Sequence, residues 1–209
     1  MTIRDLGANV PYPAALAWQE EALATAAAGG GETLFLLEHA PVYTLGRSAK
    51  PENLLAARDP SIEVIATTRG GDVTYHGPGQ LVGYPVINLR RRGLLLLEYL
   101  RMLEETLLLT LAQFGVTGAR DPRNRGVWVG NDKIAAMGVR VSRGVTMHGF
   151  ALNVDPEMSH YAGIIPCGIS NAGVTSMRLQ LGRAVAMDDV KHAYARAFET
   201  TFPPLLWKP

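Results

Sequence analysis

From Val127 to Val154 three apolar runs are separated by Gly130-Asn131-Asp132 and by Ser142-Arg143-Gly144, and turn residues at that spacing write an antiparallel meander. Upstream, Thr33 to Leu37, Val42 to Leu45, Ile62 to Ala66 and Leu81 to Asn88 are short, apolar or β-branched, and bounded by turn signals. Each is expected as a strand. Pro13 to Ala28 is alanine-rich, opened by a proline and closed by Gly29-Gly30-Gly31, and reads as a helix. Leu94 to Phe114 is a leucine-rich helical pattern that stops at Gly115. Asp188 to Phe202 carries Val190, Tyr194, Ala197 and Phe198 on one stripe, with Asp188 or Asp189 near its N-cap. Strand runs separated by only two long helices, with hairpin spacing in the third quarter, predict a mixed α/β (α+β) fold: a mixed, largely antiparallel sheet covered by helices. A doubly wound dinucleotide fold is not expected, because neither G-x-G-x-x-G after a strand nor G-x-x-x-x-G-K-S/T is present.

The chain of 209 residues is 47% hydrophobic and 19% charged, which is the balance of a folded globular protein and predicts one domain spanning residues 1–209. Its longest leucine clusters, Leu94 to Leu97 and Leu107 to Leu111, fall far short of the roughly 18 apolar residues of a membrane span. The N-terminal M-T-I-R-D-L-G-A-N-V lacks a basic head and apolar stretch, so a cytoplasmic setting is expected. A formal net charge of +1 gives no footprint for nucleic acid. Arg90, Arg91 and Arg92 form a local basic run, either a solvated face or a surface for an acidic partner.

Arg69 to Gln80 reads R-G-G-D-V-T-Y-H-G-P-G-Q, and no helix or strand period accounts for it. Four glycines and a proline are interleaved with charged, hydroxyl, amide and imidazole heads, so backbone can approach a ligand while the heads supply hydrogen bonds. The run is either a binding loop or a surface turn.

Cys167 is the one cysteine, which excludes an intrachain disulfide and a multi-cysteine metal site. It lies in G-I-I-P-C-G-I, in a constrained turn, and is either a buried structural thiol or a nucleophile. A nucleophilic thiol needs a partner for its thiolate, since its ordinary pKa of about 8.5 leaves little reactive form at neutral pH. His76, His148 and Lys133 are the candidates. Lys133 begins K-I-A-A-M-G-V-R-V and is either a solvated edge residue or a pocket base. A three-residue loop at Ser142 to Gly144 pairs Gly138 with His148 and sets His148 opposite Lys133; a two-residue loop at Arg143-Gly144 pairs Val139 with His148 and puts both on one face. His39, His160 and His192 carry less information. No metal site is expected, because neither H-E-x-x-H nor a close His/Cys pair occurs, and no G-x-S-x-G elbow marks a serine hydrolase.

R-G-G-D-V-T-Y-H-G-P-G-Q, K-I-A-A-M-G-V-R, T-M-H-G-F-A-L-N and P-C-G-I occur in the order found in lipoyl(octanoyl) transferases, and the chain resembles that family from about Thr44 to Met177. The resemblance implies a fold related to the biotin and lipoate protein ligase catalytic domain. It implies transfer of an octanoyl group from octanoyl-acyl carrier protein to a lysine of a lipoyl domain, as carried by 2-oxoacid dehydrogenase E2 subunits and the glycine cleavage H protein. By matching motifs, Cys167 is the expected nucleophile and Lys133 the residue that lowers its pKa and relays protons. The expected substrate-binding residues are Arg69, Gly70, Gly71, Asp72, Val73, Thr74, Tyr75 and His76, then Ala136, Met137 and Gly138, then Gly149, Phe150 and Ala151. No cofactor, no nucleic acid and no membrane are expected as partners.

Three rival readings stand beside this one. An ATP-dependent lipoate or biotin ligase activates a free acid as an adenylate and needs no cysteine. A noncatalytic acyl-binding module holds the thioester without turnover. A cysteine hydrolase using Cys167 and His76 releases free octanoate.

Overall fold

A computed structural model describes residues 1–165 and 172–204. Among the described residues the main sheet has seven strands. Its path runs from β1 (Thr2–Asp5) through β2 (Thr33–Leu37), β6 (Gln80–Val86) and β9 (Val145–Asn153) to β8 (Asp132–Ser142) and β10 (Gly173–Val174), with β7 (Gly126–Val129) also on β8. The β2–β6, β6–β9, β8–β9 and β7–β8 pairs are antiparallel, while β1–β2 and β8–β10 are parallel. A second sheet of three strands has β3 (Val42–Leu45) between β4 (Glu63–Ala66) and β5 (Val73–His76). The sheet is thus mixed and largely antiparallel, as the hairpin spacing predicts.

Alternation along β2 divides the interior into two layers. Leu34 and Leu36 join the core under α3 (Leu96–Gln113) and α5 (Met187–Thr201), the short α4 (Met177–Leu181) preceding the latter, whereas Phe35 and Leu37 join the core under α1 (Tyr12–Ala27). Leu103, Leu107 and Leu111 recur on the buried stripe of α3, and Val190, Tyr194, Ala197 and Phe198 on that of α5. Asp188 and Asp189 occupy the first turn of α5, where acidic groups face the positive end of the helix dipole; the N-cap itself is Ala186. The small sheet has its own cluster around Tyr43, Val73 and Tyr75.

Two segments depart from expectation. Within Arg69–Gln80, Val73 to His76 forms β5, pairing antiparallel with all of β3; the Val-Thr-Tyr signature of a strand is short and masked by flanking glycines. After β6 the chain makes a one-turn helix, α2 (Leu89–Arg92), capped by the Asn88 side chain on the Arg91 amide and closed by Gly93 in the left-handed region.

The arginine run proves to be structural at two of its three positions. Arg91 donates to the carbonyls of Gly29 and Gly30, which end α1. Arg92 pairs with Glu32 at 2.6 Å, both side chains being at most 6% exposed, and Glu32 also accepts from the Asn88 amide at 3.0 Å. Arg92 therefore ties α2 to the start of β2, and replacing it strands a buried carboxylate. Arg92→Met is expected to destabilise the protein by about 3–5 kcal/mol, read as a lower urea midpoint with an unchanged slope; a loss below about 1 kcal/mol would place the pair among the weak surface bridges.

Candidate functional site

A cavity of about 300 Å³ opens between the main sheet and the small one. Its floor is the central β8–β9 ladder, where Ala136 pairs with Ala151, Met137 with Phe150 and Gly138 with Gly149. Two of the three expected substrate-binding segments are thus register partners. The third closes over them. Arg69, Gly71, Asp72, Val73, Thr74 and His76 line the cavity from the loop and β5.

Short side chains allow this closure. The Gly70 amide donates to the Val139 carbonyl at 3.0 Å, beyond the reach of β7. A Cβ on Gly138 would sit 2.7 Å from the Gly70 carbonyl oxygen, and one on Gly46 would collide with the Gly71 carbonyl. Gly71 has φ +86, a region costly for other residues. Arg69, 7% exposed, clamps the loop to β3 by donating to the Thr44 carbonyl at 2.6 Å, the Thr44 hydroxyl at 2.9 Å and the Gly70 carbonyl at 3.0 Å. The Asp72 carboxylate accepts from the Val73 and Lys50 amides and from Asn53.

Tyr75 and Gly70 are not brought to the cavity wall. Tyr75 faces the other side of β5, against the rings of Tyr43, His160 and Tyr161. Gly70 acts through its backbone. Cys167 lies outside the described residues.

Lys133 is not an edge residue. It is 5% exposed, and its backbone is flanked by Trp128 of β7 and Val174 of β10. Its Nζ donates to the Asn124 side-chain oxygen at 2.9 Å and the Arg125 carbonyl at 3.2 Å, and lies 4.8 Å over the Trp128 ring. Asn124 in turn lines the cavity.

The Val139–His148 pairing and the Arg143-Gly144 loop correspond to the two-residue reading of the hairpin. Facing is nevertheless set by two breaks in alternation. Val127 pairs with Ala135 and Trp128 with Lys133, so Ile134 is an extra residue in β8; Ile134 and Ala135 both join the helix-side core. That bulge turns Lys133 toward the side of Ala136. Val139, opposite His148, packs on the helix side, but His148 has φ +56 and turns its ring to the cavity. Its amide donates to the Gln19 side chain at 2.7 Å, while the Pro85 carbonyl accepts from the Thr146 hydroxyl at 2.7 Å.

Beneath the loop lies a buried group of rings. His39 is 5.1 Å from Tyr12, 5.6 Å from His76 and 5.8 Å from Tyr84, and His148 is 6.3 Å from Tyr84. Burial lowers the pKa of His39 and of His148 to about 4 and that of His76 well below the usual imidazole range; neighbouring Arg69 adds to the shift of the latter two. All three rings are neutral at pH 7. Tyr12, Tyr84 and Asn124 belong to this site without any motif to announce them, and His39 is more central than its place after a strand suggests. Among the described residues no cluster of three His, Cys, Asp or Glu side chains could hold a metal.

The model of the lipoyl protein ligase A/B catalytic domain matches residues 11–199. An octanoyltransferase of Geobacter metallireducens is 53% identical over 199 residues, covering 95% of this chain and 92% of that protein. One from Bradyrhizobium diazoefficiens is 49% identical, covering 94% and 82%. Among solved structures, lipoate-protein ligase A bound with ATP superposes with a TM-score of 0.72 at 16% identity, covering 96% of this chain and 85% of that one. The bi-partite lipoate protein ligase of Thermoplasma acidophilum gives 0.67 at 16%, covering 96% and 82%. The Aquifex aeolicus biotin protein ligase with biotin and ATP gives 0.60 at 13%, covering 96% and 69%.

The ring cluster carries a pH signature. Each histidine has a folded pKa below its unfolded value of about 6.5, so its contribution is intact above pH 6.5 and is lost as pH falls toward 4. Unfolding at pH 5 is expected to take up protons, each buried imidazole adding up to about 1.4 kcal/mol per pH unit to the slope of stability. His39→Gln should flatten that slope by about one proton; an unchanged slope in urea titrations from pH 7 to 4.5 would contradict the buried neutral ring.

Proposed function

Since the chain belongs to the lipoyl protein ligase A/B catalytic domain family and is an octanoyltransferase, we propose that it transfers the acyl group in two steps through Cys167. In the first, the Cys167 thiolate attacks the thioester carbonyl of octanoyl-acyl carrier protein, and the pantetheine thiolate leaves and takes a proton. In the second, a neutral lysine amine of a lipoyl domain attacks the new thioester, loses a proton and expels the Cys167 thiolate. Lys133 gives and takes these protons. The lipoyl domains of 2-oxoacid dehydrogenase E2 subunits and the glycine cleavage H protein are the proposed acceptors.

The observation that carries this reading is the buried Lys133 ammonium, held by an acceptor that itself lines the cavity. An ammonium next to a thiol favours the thiolate. The chain context is in keeping with such a neighbour. The Ile165 amide donates to the Asn53 carbonyl at 2.9 Å on one side of the Cys167 segment, and Gly173–Val174 pair with Asp132–Lys133 on the other. Thioester exchange is nearly isoenergetic, whereas aminolysis forms a more stable amide, so the sequence runs downhill without ATP. The small residues Gly138, Gly149, Ala136 and Ala151 offer an octanoyl chain a slot, where each buried methylene contributes about 0.8 kcal/mol.

We further propose that residues 1–209 act as one catalytic domain and work in the cytoplasm, where reducing conditions keep a lone thiol free. No described helix is long and apolar enough to cross a membrane.

Cys167→Ala is expected to abolish transfer, and incubation of the wild-type chain with an octanoyl thioester should add one acyl group at Cys167 by mass spectrometry. Full activity in the alanine variant, an acyl label elsewhere, or a requirement for ATP would sink the assignment. Lys133→Ala should slow acylation of the cysteine by at least about 100-fold, and an unchanged thiol pKa in that variant would reject its activating role.

A further inference from the structure

His76 is left without a task by the two-step transfer, although it lines the cavity and is 5% exposed. Its hydrogen-bonding state can be deduced from its neighbours. Nδ1 lies 2.7 Å from the Gln80 side-chain oxygen. The Gln80 amide nitrogen lies 3.2 Å from the Tyr75 carbonyl oxygen and 2.9 Å from the Asn153 side-chain oxygen. The Asn153 nitrogen in turn donates to the Thr175 carbonyl at 3.0 Å. Backbone carbonyls only accept, so both amides have a single workable orientation and the Gln80 oxygen must face His76. The hydrogen therefore sits on Nδ1, and Nε2 presents a lone pair.

The surroundings keep the ring neutral. The ring is buried, with His39 5.6 Å away and Tyr12 stacked at 6.3 Å, and the charges of His39, Arg69 and His148 further oppose its protonation. A ring this reluctant to take a proton is a poor base toward a lysine ammonium of pKa about 10.4, yet it remains a hydrogen-bond acceptor at every neutral pH. An octanoyl chain has nothing to donate. The N–H groups that reach such a cavity are the amine of the acceptor lysine and the amides of the donor's pantetheine arm.

We propose that Gln80 is a positioning residue that locks His76 in the Nδ1–H tautomer, so that Nε2 accepts a hydrogen bond from a substrate N–H in the cavity. This rests on the two-step transfer proposed above and adds to it a recognition contact. The same network continues from Asn153 through Thr175, whose amide donates to the Lys133 carbonyl at 3.0 Å. Substrate recognition and the lysine strand are thus held by one set of hydrogen bonds.

The test combines spectroscopy with separated half-reactions. In 15N-histidine-labelled protein, with the His76 signal assigned by its loss in His76→Leu, the wild type should show Nδ1–H, and Gln80→Met should lose that bias. An Nε2–H ring in the wild type, or an unaltered tautomer in Gln80→Met, overturns the proposal. Single-turnover rates are then measured for acylation by octanoyl-pantetheine, acylation by an octanoyl thioester lacking amides, and deacylation by a lipoyl domain. His76→Leu and Gln80→Met should both slow the same reaction about tenfold, the loss of one neutral hydrogen bond. Loss confined to deacylation assigns the contact to the amine, and loss confined to octanoyl-pantetheine assigns it to the arm. Equal loss in all three, or loss in none, overturns the proposal. Mass detection of acyl-Cys167 in the same wild-type samples separates this outcome from a failure of the thioester reading itself.

Discussion

The hydrogen bond from the Gly70 amide to the Val139 carbonyl is the contact on which the site depends. It joins a loop of the small sheet to the open edge of β8, and it needs the absence of a side chain at Gly46 and Gly138 and the left-handed backbone that Gly71 takes. The clamp from Arg69 to Thr44 then fixes the loop from the opposite side. Two sheets approach closely along one line and separate on either side of it, and the separation is the cavity. A glycine-rich motif here serves packing first. It makes a pocket by bringing backbones together, and the polar heads between the glycines serve mainly to hold that approach.

Much of this was legible in the sequence. The hairpin spacing from Val127 to Val154 yields β7, β8 and β9 within a residue or two, because period and turn chemistry agree there. The long helices are equally plain, their buried stripes being those the leucines and aromatics mark. The strand at Val73–His76 was hidden because a four-residue strand between glycines carries too few alternations to register. The role of Arg92 was hidden because its partner Glu32 lies sixty residues away in sequence, and burial of an ion pair is a property of tertiary packing. Tyr12 and Tyr84 reach the cavity for the same reason. The position of Lys133 was the most misleading, since a charge at a strand start is usually solvated, and nothing local announces that β7 and β10 will flank it on both sides.

The facing of Lys133 and His148 shows how far period-two reasoning extends. Strict alternation across the Val139–His148 register places the two side chains together, and they do both address the cavity side. Two irregularities intervene, however, and each reverses facing once. The extra residue at Ile134 turns Lys133 away from the helix-side core that Ala135 and Met137 meet. The left-handed backbone at His148 turns its ring away from the side that Val139 meets. Two reversals cancel, so a correct facing emerges from a premise that fails at both ends. The left-handed backbone at His148 costs energy, and its amide is kept satisfied by the Gln19 side chain.

Those irregularities also explain how a polar site can sit in the middle of a sheet. A regular β8–β9 ladder would direct Lys133 into leucine and phenylalanine packing, where an ammonium would meet no acceptor. The bulge instead delivers it to Asn124, the Arg125 carbonyl and the face of Trp128. The strained histidine leaves the same ladder at the other end and joins a ring cluster whose burial keeps every imidazole uncharged. Between them the ladder is regular, and Ala136, Gly138, Gly149 and Ala151 leave room on its cavity side. The two ends of the ladder are thus polar in different ways: at one an ammonium is held by the cavity-lining Asn124, and at the other neutral imidazoles lie beside the Arg69 guanidinium, with Ala136, Gly138, Gly149 and Ala151 between them.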